Sequence, residues 1–410
     1  MPATLSWLDF DAAEREQTQR ILALFQEKEA RDELGFGGIR DSISDQLFPG
    51  TSTIQTRLRY MLFVAWMYRS LEEKRVPSGE MEAKARKFEL SLTAPLLESD
   101  DRAGVFGRLA GGGLKRLPSS VYWAGLGSWG IRTFRGSQGE YHRGLDAVYR
   151  RRALHKGDGG EGEPDRSRVT WEPGLIEAPP EFPLNLSFEL SRDEADYLQE
   201  RIALSQGNSL IGHLAVHGKP DTAEFPWEHA QLASFGPAHQ ELLENARLFS
   251  DVMYGASLVY NVLLSELRAR KGHAIKDSAL VAKNRDLLAE WEDNVDREGA
   301  AGWRMPRFWE LVRGHGYTIG MPTQTFVERW VKFLTSDRKK FADQNDIREL
   351  VQSREQSLKR AKSRFLNQRA LDQWGGAAGM TRLSFRWPIA SRLLGDLYAG
   401  LKAKKAGTHA

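Results

Sequence analysis

The chain has 410 residues, enough for two or three domains, and its content of 41% hydrophobic and 28% charged residues is ordinary for a folded protein. It contains no cysteine, which excludes disulfides, thiolate metal sites and a cysteine nucleophile. Its net charge of +3 is too small to indicate a nucleic-acid partner by itself, so only the distribution of charge can argue for one.

Two further features bear on localisation. Asp9, Asp11 and Glu14 stand where a signal peptide would carry a basic segment. The apolar run 60–68 is much shorter than the roughly 20 residues that cross a bilayer. Together with the lack of cysteine, these features favour a cytoplasmic protein without a membrane partner.

The pattern as a whole predicts a mainly α, multi-helical fold, and residues 1–154 are predicted to form an N-terminal helical domain. Apolar spacing predicts helices over 11–29, 51–74 and 81–97. A turn at Phe48-Pro49-Gly50 precedes the second of these, with Thr51 or Ser52 as the expected N-cap.

Four apolar residues between the first two helices recur at helical spacing: Leu34, Ile39, Ile43 and Leu47. Acidic residues are interspersed with them and could in principle hold a metal: Asp32, Glu33, Asp41 and Asp45. A solvated helix face is the plainer interpretation, because the carboxylates follow the polar positions of the same period.

The segment 102–141 could form a small winged-helix-like α+β element. Its first helix would cover 102–110, and a second would begin at Ser119 or Ser120 and run through Trp129. The stretch 131–134 would open a wing with its tip at 135–139, where glycine permits the turn and Arg135 could meet a phosphate. The alternative is a module that packs internally or binds protein.

The chain divides near its middle. Residues 155–183 are rich in glycine, proline and charge, which predicts a linker or a long irregular excursion. Residues 184–410 are then expected to form a C-terminal helical domain. The predicted helices there cover 192–205, 209–217, 239–270, 278–297, 322–335 and 346–374, and the two predicted strands cover 184–190 and 381–387.

Positive charge is unevenly distributed. It gathers at Arg143, at Arg150-Arg151-Arg152 and around two further groups, which we take as candidate phosphate-contacting residues. Solvated surface is the plain interpretation of any single cluster, but three clusters in one chain favour a DNA-contacting surface. The candidates are Lys115, Arg116, Arg132 and Arg135, together with Lys359, Arg360, Lys362 and Arg364.

One pair of histidines has metal-ligand spacing. His213 and His217 lie four residues apart on a predicted helix and could present two imidazoles on one face. Glu224 or His229 could complete a set, but the intervening residues lack the glutamate of H-E-x-x-H. A structural role near the helix end is the favoured interpretation, so no metal and no other cofactor is expected.

Five separated segments carry a family resemblance: LSWLDFD at 5–11, RDELGFGGIRDSISDQLFPGTSTIQTRLRYMLF at 31–63, LKRLPSSVYWAGLGSWGI at 114–131, FSDVMYGASLVYN at 249–261 and NQRALDQWGGAAGMTRLSFRW at 367–387. With these the chain resembles an uncharacterised bacterial family, a domain of unknown function of about this length. The resemblance implies a link with gene clusters for phage defence and brings no catalytic residues.

No P-loop sequence and no G-x-S-x-G elbow occurs in the chain. We therefore predict a non-enzymatic subunit of a multi-protein bacterial system, consistent with antiphage defence, that binds protein partners and could bind DNA. The alternative is a cryptic metal-dependent hydrolase or nuclease that uses scattered Asp, Glu and His residues.

Overall fold

A computed structural model of the chain describes residues 32–108, 113–114, 116–157, 169–270, 275–336 and 338–404. The predicted helix 11–29 lies outside them. The described residues form two compact units, the first of 32–43 with Glu241–Phe385 and the second of Ser44–Gln240 with 386–404. These units do not follow the predicted boundary at 155–183, because each one combines segments that are distant in sequence.

The mainly α prediction is confirmed. The α-helices are α1 (Gly37–Leu47), α2 (Tyr60–Glu73), α3 (Ser78–Ser91), α4 (Thr93–Glu98), α5 (Pro118–Ser128), α6 (Gln138–Gly157), α7 (Arg192–Gln206), α8 (Leu210–His217), α9 (Pro237–Arg270), α10 (Ile275–Asn294), α11 (Arg297–Gly302), α12 (Met305–Arg313), α13 (Met321–Leu334), α14 (Asn345–Lys359), α15 (Gln368–Asp372) and α16 (Trp387–Lys402). Short 3₁₀ helices cover Pro226–Glu228, Leu232–Ser234, Phe341–Asp343 and Arg360–Lys362.

No β-strand occurs among the residues that the structure describes, and their one isolated bridge joins Arg132 to Trp171. The strands predicted over 184–190 and 381–387 are therefore wrong. The second segment turns through Phe385 and Arg386, whose positive φ angles of 49° and 68° are incompatible with a strand, and α16 begins directly after them.

The core of the first unit forms around α9, whose residues from Leu248 to Ser265 are nearly all buried. Trp330 donates its indole N–H to the Val252 carbonyl at 2.8 Å, and Trp291 donates to the Asp251 carbonyl at the same distance. Each tryptophan thus buries a large apolar ring while its single donor is satisfied. By length and composition α9 could cross a membrane, but 94% of its apolar window is buried, as in the core helix of a folded protein.

The core of the second unit forms around α2, of which every residue from Tyr60 to Tyr68 is buried. The predicted helix 51–74 begins only at Tyr60, because the Tyr122 side chain forms hydrogen bonds with the backbone that precedes Tyr60. The Tyr122 hydroxyl accepts the N–H groups of Thr56 and Arg57 at 2.9 and 3.0 Å and donates to the Arg57 carbonyl at 2.8 Å. Those N–H groups are therefore unavailable to a helix.

The described residues of 102–141 do not form the predicted first helix or the wing. Residues 102–108 are irregular, and Gly104 and Gly107 have φ angles of +87° and +84°, which interrupt a helix. The second predicted helix is present as α5, with Pro118 in its first turn. The wing is absent because 131–134 hydrogen-bond to 170–172 instead of folding back on 135–141, where α6 begins.

The segment 169–183 is irregular, in agreement with an irregular excursion, but it is packed. Thr170 and Trp171 are buried, and Trp171 donates its indole N–H to Glu72 Oε1 at 3.0 Å. The Thr170 hydroxyl also donates to Glu72, which accepts from Tyr141 at 2.5 Å and pairs with Arg152 at 2.8 Å. This buried cluster fixes the segment to α2 and α6.

Candidate functional site

The first group of candidate basic residues divides into exposed and packed members. Arg116 and Arg135 are exposed, whereas Lys115 lies outside the described residues. Arg132 is half-buried, with its guanidinium 4.4 Å from the centre of the Trp123 ring and its Nη1 donating to the Phe134 carbonyl. Burial lowers the pKa of Arg132. Arg132 is thus a packing residue, and the prediction that it contacts phosphate does not fit its geometry.

Helix α6 carries additional exposed arginines. Arg143, Arg150 and Arg151 are exposed, and none of them forms an ion pair with any residue that the structure describes. Arg152 differs, because it points inward and pairs with Glu72. Arg143 and Arg150 are seven residues apart and share a helix face.

The beginnings of α5 and α6 lie side by side, since Gln138 Nε2 donates to Ser119 Oγ at 2.7 Å. Arg116 stands three residues before Ser119, and Arg135 stands three residues before Gln138. The exposed Arg116 and Arg135 therefore each stand three residues before this contact between the two helix starts. We call Arg116, Arg135, Arg143, Arg150 and Arg151 the basic face of the second unit.

The second candidate group, at the end of α14, also divides. Lys359 and Arg364 both donate to Glu33 Oε2, which brings residues more than 320 positions apart together. Their side chains are only 11% and 20% exposed, so neither is available to a phosphate. Arg360 and Lys362 are exposed.

Two opposing effects act on the pKa of the Glu33 carboxyl. Burial raises its pKa, but hydrogen bonds from Arg364 and Lys359 lower it by more, so the pKa lies below its ordinary value and the group is ionised. The prediction of a solvated face is therefore wrong for Glu33. Asp32 accepts the N–H groups of Leu34 and Phe36 at 3.3 and 2.8 Å, which leaves further acceptor positions on its carboxylate.

The candidate histidines come together only in part. The rings of His213 and His217 have their centres 5.1 Å apart, as their spacing predicts, and the ring of His239 lies 6.1 Å from that of His213. Burial, followed by the neighbouring His217 and His239, lowers the pKa of His213. His229 packs instead against Phe235 and Trp387 and lies 3.7 Å from Asp221. Within the described ranges, no three His, Cys, Asp or Glu residues could hold a metal together.

A cavity of about 260 Å³ lies in the first unit. It forms where the segment before and within α1 meets the middle of α9 and the loop 379–383. Carboxylates, hydroxyls and apolar groups alternate around it: Asp32, Glu33, Phe36, Arg40, Ser250, Met253, Tyr254, Ser257, Gly379, Thr381 and Leu383.

The walls of the cavity are fixed by hydrogen bonds. Asn261 donates to the Ser257 and Ala378 carbonyls at 2.7 and 2.8 Å and accepts the Ala378 N–H at 2.8 Å, which fixes the loop to α9. Ser250 Oγ accepts the Leu383 N–H at 2.9 Å. The cavity is therefore preformed, as ligand sites usually are.

Sequence reasoning did not identify this cavity, because no motif of known chemistry marks it. A signal was present, however. Three of the five segments that carry the family resemblance, 31–63, 249–261 and 367–387, each contribute to its walls. Separated distinctive segments that meet in the fold are the pattern expected of a shared site.

Comparison with known proteins gives one match. A model of a family of unknown function, DUF6361, matches residues 2–400. No curated protein and no solved structure is significantly similar to the chain. Because the family model covers nearly the whole chain, including the segments around the cavity and the basic face, the protein belongs to the family of unknown function DUF6361.

Proposed function

We propose that this protein is a non-enzymatic subunit of a multi-protein bacterial system that acts in antiphage defence, where it binds protein partners and contacts DNA through the basic face. The observation that carries the DNA contact is the set of exposed arginines gathered at the start of α5 and along α6. The bacterial and phage-defence context comes from the family resemblance.

The spacing of the basic face suits a phosphate backbone. Arg143 and Arg150 are separated by seven residues of helix, or about 10 Å along its axis. One DNA strand advances roughly 3.4 Å per phosphate along the duplex axis, so the two guanidinium groups could contact phosphates about three positions apart. No base-reading element follows from this arrangement, so the expected binding is independent of sequence.

The test is binding of the full-length protein to single- and double-stranded oligonucleotides, measured by fluorescence anisotropy over a salt series. The triple variant R143E/R150E/R151E should bind more weakly, with a salt slope for duplex DNA smaller by up to about 3, since each lost phosphate contact removes roughly 0.9. A matched control, K219E/R392E/K404E, reverses three exposed charges of the same unit that lie on segments other than α5 and α6.

Equal loss of affinity in the two triple variants would show that only net charge matters. Unchanged affinity in R143E/R150E/R151E would refute DNA contact at this face. The protein-partner part of the proposal has a separate test, because affinity purification should recover products of neighbouring genes in stoichiometric amounts. The alternative of a metal-dependent hydrolase or nuclease gains no support from the residues that the structure describes.

A further inference from the structure

The cavity in the first unit is lined by polar groups that form no hydrogen bond with a described residue. Ser257 is only 8% exposed, and its hydroxyl has no hydrogen-bond partner among the described residues. The hydroxyls of Tyr254 and Thr381 also line the cavity without a partner in that part of the chain. Of these three residues only Ser257 is buried, whereas Tyr254 is half-buried and Thr381 is exposed. Buried polar groups are nearly always hydrogen-bonded, so the unpartnered Ser257 hydroxyl indicates a polar occupant.

Some charged side chains around the cavity have an ion-pair partner among the described residues, and one does not. Arg40 is compensated by Asp41, whose Oδ1 accepts from its Nε and Nη2 at 3.1 Å. Glu33 is compensated by Lys359 and Arg364. Asp32 accepts only backbone N–H groups and forms no ion pair with a described residue.

The Asp32 carboxylate lines the same cavity as two aromatic residues. Asp32, Phe36 and Tyr254 line the same cavity, and Glu33 directs all its hydrogen bonds from the described residues through Oε2, which leaves Oε1 to accept another donor. A half-buried carboxylate with aromatic neighbours favours a cation, and an ammonium group gains from both.

We propose that this cavity binds a small polar metabolite that carries a positively charged amine. The ammonium group contacts the Asp32 carboxylate, and hydroxyl or amide groups of the same molecule hydrogen-bond with Ser257, Tyr254 and Glu33 Oε1. The volume of about 260 Å³ is slightly below the roughly 300–1,000 Å³ of pockets for drug-sized ligands, so the ligand should be smaller than a drug-sized molecule. The proposal is independent of DNA binding, since the basic face belongs to the other unit.

The experiment uses the full-length protein and three matched pairs of probes that differ in one amine: glucosamine and glucose, putrescine and butane-1,4-diol, and glycine and glycolate. Binding is measured by saturation-transfer NMR and titration calorimetry. At least one amine should bind at least tenfold more tightly than its hydroxyl partner. Failure of all three amines to bind at 10 mM, or equal binding within every pair, would overturn the proposal.

Three variants locate the site. Asp32→Asn keeps a side-chain oxygen that accepts the Leu34 and Phe36 N–H groups but removes the charge, so amine affinity should fall at least tenfold. Ser257→Ala removes an unpartnered hydroxyl, so it should weaken binding while the melting temperature of the free protein stays equal or rises. Asp286→Asn, an exposed acid of α10, is the control and should bind like the parent. Undiminished affinity in both D32N and S257A would refute this location.

Discussion

Glu89 should make the stability of the protein depend on pH in an unusual direction. The carboxyl is 3% exposed and accepts the Ser119 N–H at 2.5 Å and the Ser119 hydroxyl at 2.9 Å. Burial raises its pKa to about 7, and the hydrogen bonds from Ser119 offset only part of that rise. At neutral pH the folded protein therefore holds this group about half protonated.

Proton linkage gives the direction in which the free energy of unfolding changes with pH. Between the ordinary glutamate pKa of 4.5 and the folded pKa of about 7, the folded state binds more protons than the unfolded state. The contribution of Glu89 to the free energy of unfolding is thus fully present below pH 4.5 and is lost as pH rises through 7. A difference of roughly 2.5 pKa units corresponds to about 3 kcal/mol over this window.

Glu89→Gln tests this reasoning because glutamine keeps an acceptor for the Ser119 N–H and cannot ionise. Urea denaturation at pH 5, 6, 7 and 8 should show the variant gaining stability relative to the parent as pH rises, by on the order of 2–3 kcal/mol between pH 5 and 8. Glu98→Gln, an exposed acid on α4, is the control and should follow the parent at every pH. A constant difference between E89Q and the parent would refute a raised pKa at Glu89.

Two further substitutions test the packing that shapes the sites. Gly35→Ala should lower the free energy of unfolding by about 1–3 kcal/mol in chemical denaturation, because φ is +78° and a new Cβ would lie 2.4 Å from Arg354 Nη2. Gly79→Ala is the control and should be neutral, because its Cβ meets nothing within 4 Å. Equal losses of stability in the two variants would contradict the argument. Arg132→Glu should lower the melting temperature because it removes the guanidinium from the Trp123 ring. Arg135→Glu should weaken DNA binding with little change in melting temperature. If instead R132E weakened DNA binding and R135E lowered the melting temperature, the packing role of Arg132 and the DNA-contacting role of Arg135 would be misassigned.

Local signals account for the parts of the fold that could be predicted. The predicted helix 192–205 corresponds to α7, which begins at Arg192 behind a capping box in which Ser191 and Glu194 exchange hydrogen bonds. The predicted helix 209–217 corresponds to α8, capped by Ser209. Both helices begin at capping side chains within three residues of the helix start, which the sequence displays directly.

Distant contacts account for the parts that could not be predicted. The start of α2 is delayed by Tyr122, which is more than 60 residues away. The predicted helix 346–374 ends early because Glu355 accepts the Arg364 N–H at 2.8 Å and also bonds the Ser363 hydroxyl, which holds the chain in a turn after Lys359. In both places a polar side chain satisfies backbone groups that helical propensity alone would assign to the next turn.

The same limit explains why a basic cluster in a sequence is a poor guide to a binding surface. Arg132 and Arg135 are three residues apart, yet one packs on Trp123 and the other is exposed. Lys359 and Arg360 are adjacent, yet only Lys359 reaches Glu33, which precedes it by 326 positions. Charge is visible in the sequence, but the partner that neutralises it is not. A nucleic-acid surface should therefore be assigned only from cations that remain exposed and without an ion pair after folding, and the arginines of the basic face meet this criterion.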